Sequence, residues 1–254
     1  MALPMRSGNP ALNQNTFLDS VSGSVVSRDG SRMINGMVNK TAFLLILVLC
    51  GAMYSWSQFT GPDSAGVLAP LALGGALGGF VVALITIFKK EWSPFTAPVY
   101  AVLEGLFVGA FSAILNAHYH GIVIQAVALT FGTMGAMLLA YRSGLIRATE
   151  KFRLGVVAAT GGVALLYFAN FVMGFFGHNI GMIYSSSALG IGFSVVVVVI
   201  AALNLVLDFD MIETGAAQGA PKYMEWYGGF AMVVTLVWLY LEILRLLSKL
   251  NSRN

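Results

Sequence analysis

The chain has 254 residues, of which 57% are hydrophobic and only 10% charged, with a formal net charge of +3 and a mean hydropathy of +0.80. A soluble domain carries about 25% charged and 45–50% apolar residues, so a cytosolic enzyme is excluded. The single cysteine, Cys50, excludes an internal disulfide framework and any cysteine-rich metal site.

A helix needs about 20 predominantly apolar residues to cross the hydrocarbon core. Residues 1–40 are polar, rich in Ser, Asn and Gly, without the apolar core of a signal peptide, and read as a flexible cytoplasmic tail. The first apolar segment follows at 41–59 and the second at 66–88. Residues 95–117 form the third, which contains Glu104, and the turn at His118–Tyr119–His120 separates it from the fourth at 121–141. From 154 to 207 no Asp, Glu, Lys or Arg occurs. That run is too long for one crossing and divides at Gly177–His178–Asn179 into segments of 154–176 and 180–207. The seventh segment is 226–247, and the membrane domain as a whole runs from 41 to 249, with a short tail at 250–254. A membrane barrel would show many ten-residue stretches of alternating polarity, which these blocks lack. The expected fold is an all-α bundle of seven transmembrane helices, its main partner the lipid bilayer; nucleic acid is not an expected partner.

Basic residues set the orientation. Arg6, Arg28, Arg32 and Lys40 precede the first segment, Lys89 and Lys90 follow the second, Arg142, Arg147, Lys151 and Arg153 follow the fourth, and Lys222 follows the sixth. The alternate loops hold no Lys or Arg, which puts the amino terminus inside. Seven crossings put the carboxyl tail outside despite Arg245, Lys249 and Arg253. Either the earlier loops override that tail, the preferred reading, or the last segment is re-entrant. Trp56, Trp92, Trp226, Tyr119 and Tyr141 lie near segment ends, where aromatic belts form.

Gly74, Gly75, Gly78 and Gly79 make interleaved G-x-x-x-G patterns in the second segment, and Gly105 and Gly109 make another in the third. Small residues let lipid-immersed helices approach closely. Packing inside the bundle is the expected use, with a homo-oligomer face as the alternative.

Four acids stand inside or at the ends of segments: Glu104, Asp208, Asp210 and Glu242. A charge near the bilayer centre costs about 2.5–3.5 kcal/mol on the lenient insertion scale. Burial and a like-charged neighbour favour a carboxyl's neutral form, and two close carboxyls titrate as a unit. Such a pair makes a proton-sensitive switch. It is also a weak oxygen site for calcium, which prefers six to eight oxygens. Other uses stay open: Asp208 and Asp210 as interfacial charges at a helix end, and Glu242 as the partner of Arg245, three residues on and on the same face. In a simple hairpin Asp208 and Glu242 lie at different depths. They meet only if residues 221–227 lie along the interface and Gly228–Gly229 breaks the helix.

No His-Glu-x-x-His pattern occurs, and His118, His120 and His178 lie in turns, apart from the hydroxyls of Ser185, Ser187 and Ser194. No catalytic residue is assigned, and neither enzyme activity nor a cofactor other than transported calcium is expected.

The stretches MRSGNPAL at 5–12, APVYAVLEGLFVGAFS at 97–112, LDFDMIETG at 207–215, APKYMEWY at 220–227 and WLYLEILRLL at 238–247 resemble the transmembrane Bax-inhibitor-motif family, in its bacterial branch. The resemblance implies a seven-helix protein of the bacterial inner membrane, and in some members a pH-sensitive calcium leak. There an acid of the sixth segment and one of the seventh share a proton and close the pore. By match of motifs Asp208 and Glu242 take those roles. From position in the bilayer alone, Asp210 stands beside the switch and Glu104, with no basic partner in the interiors of segments one to six, is expected as a pore or cavity acid. Three departures accompany the match: Glu242 stands where the usual residue is Asp, the loop joining the pair is longer, and the second segment lacks the basic latch of some relatives. The alternative implied by the family is a non-conducting scaffold that binds a membrane protease or another membrane protein.

Overall fold

The computed structural model describes residues 14–61 and 64–253, with side chains from 30 onward except that of Ala65. Residues 1–13 of the expected tail, including the whole of the 5–12 stretch, lie outside it. The elements are α1 (Gln14–Ser57), α2 (Ala65–Phe88), a 3-10 turn (Lys90–Trp92), α3 (Ser93–His118), α4 (Ile122–Arg142), α5 (Glu150–Phe175), α6 (Gly181–Tyr184), α7 (Ala188–Ala217) and α8 (Met224–Asn251), with no strand among the described residues. Seven of these helices are long and apolar enough to cross a membrane.

Several boundaries differ from the sequence reading, each for a physical reason. The tail is not flexible as far as residue 40: helix α1 begins at Gln14. Its stretch from Gly30 packs, with Met33 and Met37 meeting Ala216 in a small apolar cluster. The sixth crossing starts at Ala188 rather than 180, because the Ser187 hydroxyl accepts the Gly190 amide and caps α7. It runs on through Asp208 and Asp210 to Ala217. Gly228 and Gly229 do not break α8. A β-carbon at Gly228 would lie 2.9 Å from Met37 Sδ, and one at Gly229 would lie 3.1 Å from the Thr41 amide, so both glycines admit α1 against α8. The stretch 221–227 is therefore a turn and the first helical residues, not a separate interfacial segment.

Helix α8 is the centre of the bundle. About 61% of its apolar 18-residue stretch is buried, against 17% for the corresponding stretches of α2, α4 and α5. It packs on α7, α1, α4 and α3, while α2 lies outside on α3 and α5 leans chiefly on α7. The main core gathers Leu44, Tyr100, Ile122, Leu205, Leu239 and Leu244. Outward positions such as Leu73, Leu77 and Phe80 are exposed, as expected of a surface whose solvent is lipid.

The two ends of the bundle differ in charge. Ser93 Oγ donates to the Tyr223 carbonyl (2.9 Å), Tyr141 Oη to Glu213 (2.5 Å) and Arg153 Nη2 to Asp210 (2.6 Å). These links bring the starts of α3, α5 and α8 and the ends of α4 and α7 together at one basic end. Lys40 lies over the Trp226 ring and Lys90 over the Tyr227 ring there, at 4.5 and 5.3 Å. Helix α8 is one unbroken helix of 28 residues, long and apolar enough to cross, and it ends at the opposite end of the bundle, where Lys249 Nζ donates to the Gly190 carbonyl (2.9 Å) and Ser194 Oγ (2.8 Å). Two of the three basic residues of the tail are thus spent internally: Lys249 is buried, and Arg245 is paired with Glu242.

Candidate functional site: the intramembrane acids

Helix α8 carries Glu242 on its buried side, 1% exposed. Arg245 stands three residues on, close to one helical turn, and its Nη1 donates to both carboxylate oxygens at 2.8 and 2.9 Å. Tyr167 of α5 donates its hydroxyl to the same carboxylate at 2.9 and 3.1 Å and accepts from Arg245 at 2.6 Å. Trp238 Nε1, one turn back, reaches Oε1 at 3.3 Å. The guanidinium also lies 5.1 Å from the Tyr167 ring centre. Glu242 thus ties α5 to α8 near the end opposite the basic one. A cavity of about 600 Å³ lined by Tyr167, Asn170, Asn179, Tyr184 and Arg245 opens onto this cluster.

Asp208 is elsewhere. It lies on α7 facing Thr235 of α8, and its Oδ2 is buried with no hydrogen-bond partner. Thr235 and Glu242 are seven residues apart, about 10 Å of helix rise. The expectation that Asp208 and Glu242 share a proton is therefore corrected for this arrangement: each acid has separate surroundings, and Glu242 already has its cation. The reason is the unbroken α7–α8 hairpin, which leaves the two acids at different depths. Nor are they gathered as a calcium site; among the described residues no three His, Cys, Asp or Glu side chains cluster as metal ligands.

Asp210, two residues from Asp208, points to another neighbour and pairs with Arg153 of α5. Glu104 is half-buried on α3 beside Tyr100. Its Oε2 lies against α2, 3.1 Å from where a β-carbon on Gly79 would stand. Four acids thus have four separate environments.

The glycines bring α1, α2 and α3 together. A β-carbon at Gly105 or Gly109 would run into the backbone oxygen of Val48 or Ala52 on α1, and one at Gly75 would come within 2.6 Å of the Leu103 oxygen on α3. Gly78 faces the Leu103 side chain at 3.3 Å. Gly74 has nothing within 4 Å and takes no part in packing within the chain.

A family model described as Bax inhibitor 1 like matches residues 9–252, nearly the whole chain. The chain belongs to the Bax inhibitor 1 like family. No curated protein and no solved structure matches it. Within this family member, Tyr167 and Thr235 are the partners that sequence reasoning missed. Tyr167 sits 75 residues from Glu242, and nothing local marks it. Trp238 was reachable, because it precedes Glu242 by four residues on one helical face.

Proposed function

We propose that this membrane protein is a proton-responsive cation leak, with calcium as the expected ion, in a bacterial cytoplasmic membrane with its amino terminus inside. One observation carries the reading: a carboxyl oxygen of Asp208 is buried in a crossing helix without a partner. An unsatisfied buried acceptor costs about 1–3 kcal/mol, more if charged. A proton, a cation or a water would relieve that cost, whereas Asp210 and Glu242 are paired with arginines and Glu213 accepts from Tyr141. In this reading the packed α7–α8 interface is the closed barrier. The Tyr167–Glu242–Arg245 cluster is the lock, because opening on that side must part α5 from α8. Arg245 would then take the part of the basic latch that α2 lacks. Weak engagement of the ion suits conduction, since an ion must also leave. The protein acts without a resident cofactor and performs no catalysis.

The test is calcium flux into proteoliposomes as a function of pH. Wild type is expected to conduct with a clear pH response, Asp208→Asn to lose that response, and Arg245→Gln to leak under conditions that close the wild type. Absence of flux at every pH, or an unchanged response in Asp208→Asn, overturns the proposal. The separation of Asp208 from Glu242 favours a second reading, a non-conducting scaffold for another membrane protein. Purified protein that passes no ion but retains one stoichiometric partner would support it.

A further inference from the structure

Helix α1 packs chiefly on α3 and α8, and α4 on α8 and α7, which leaves a groove between α1 and α4. Two cavities fill it. The outer one, about 490 Å³, has α8 residues Leu236 and Tyr240 in its floor and α4 residues Val127 and Phe131 in its wall. The inner one, about 860 Å³, runs to the basic end, where Tyr141, Arg142, Arg147 and Glu213 line it. Leu45 lines both. From Ile34 to Trp56 the α1 side of the groove rises about 33 Å, which matches the hydrocarbon core of about 30 Å.

The groove has a distinct chemistry at each level. In its outer part the hydroxyls are occupied within the protein: Ser112 bonds Tyr240 at 2.7 Å, and Thr130 donates to the Ala126 carbonyl at 2.7 Å. A guest there is offered only apolar surface. At the inner end the acids are engaged, Asp210 by Arg153 and Glu213 by Tyr141. Arg142 and Arg147 are exposed and make no ion pair with another described residue. Two exposed guanidiniums at the basic end, with a mostly apolar groove rising from them, fit a molecule with an anionic head and a long apolar chain.

We infer that the α1–α4 groove holds an anionic glycerophospholipid, its phosphate at Arg142 and Arg147 and an acyl chain along Leu45 toward Val127. Arginine forks match phosphate oxygens. A partner helix would have to bring a carboxylate to this depth, whereas a lipid of the adjoining leaflet presents its phosphate there without further design. The site stands whether or not the chain conducts ions.

Purified full-length protein is titrated with phosphatidylglycerol and with phosphatidylcholine of the same chains, and bound lipid is counted by native mass spectrometry. Wild type is expected to prefer phosphatidylglycerol by about tenfold or more, since each basic residue near an anionic surface adds measurably to lipid affinity. Arg142→Gln/Arg147→Gln should bring the two lipids near parity, and Val127→Trp should remove one bound lipid by filling the groove. Arg153→Gln, whose guanidinium is tied to Asp210, should leave the preference unchanged. Equal binding in wild type, an unaltered preference in the double variant, or an equal loss in Arg153→Gln overturns the inference. So does a dimer that Val127→Trp dissociates without any lipid preference.

Discussion

Arg245 Nη1 donates to both oxygens of Glu242 from three residues along the same helix, so a carboxylate that is 1% exposed has its counter-ion built into α8. The pair is asymmetric, because the Arg245 side chain keeps 31% exposure. Removing one partner of a buried pair leaves an uncompensated charge, at a cost of about 3–5 kcal/mol. Arg245→Met is expected near the lower end of that range, because the arginine head is partly solvated. Adding Glu242→Gln should restore much of the loss. Thermal unfolding in detergent measures both; a double variant no more stable than Arg245→Met would show that the ion pair is not the origin of the effect.

Tyr167→Phe deletes a hydroxyl that both donates to Glu242 and accepts from Arg245. The expected loss is about 1–2 kcal/mol. In the Glu242→Gln/Arg245→Met background the same change should cost clearly less. A double-mutant cycle reads the coupling directly, and additive losses would refute the shared network.

Asp208→Leu should be tolerated or stabilising, by about 1 kcal/mol, because it removes the unpartnered buried oxygen. Unfolding midpoints compared with wild type test this. A marked loss of stability would mean that the carboxyl holds structure, not function.

Gly109→Val should prevent proper assembly, since its side chain would run into Ala52 of α1. Gly74→Ala, with open space around it, should change stability by no more than about 0.5 kcal/mol. Yield of monodisperse protein on size exclusion separates the two. Equal behaviour would contradict the α1–α3 packing.

The Arg153–Asp210 link, with an arginine side chain 56% exposed, should be worth no more than about 1 kcal/mol and weaken with salt. Arg153→Gln measured at low and high ionic strength tests that expectation.

The crossings were legible because uncharged runs are long and α-helical hydrogen bonding is obligatory in lipid. Their ends were not. Residues 30–40 read as polar tail, yet Met33 and Met37, four apart, supply the face that meets Ala216. The Glu242–Arg245 pair could be read from spacing alone, as one of two uses of that acid. That one oxygen of Asp208 goes without a hydrogen-bond partner could not, because an unmet acceptor is a property of the whole packed neighbourhood. The expected proton-sharing pair carried a requirement, a helix break at Gly228–Gly229, which the close approach of α1 removes.

The most enclosed helix, α8, is synthesised after the helices that pack around it. During biogenesis the ribosome delivers α1, α3, α4 and α7 before the element around which they settle, and their inward faces must wait in the insertion machinery or against lipid. Truncation before Met224 would therefore leave a chain with every peripheral rod present and nothing at the hub. Quality-control proteases should meet such a product as an unassembled set of helices, not as a slightly shortened protein.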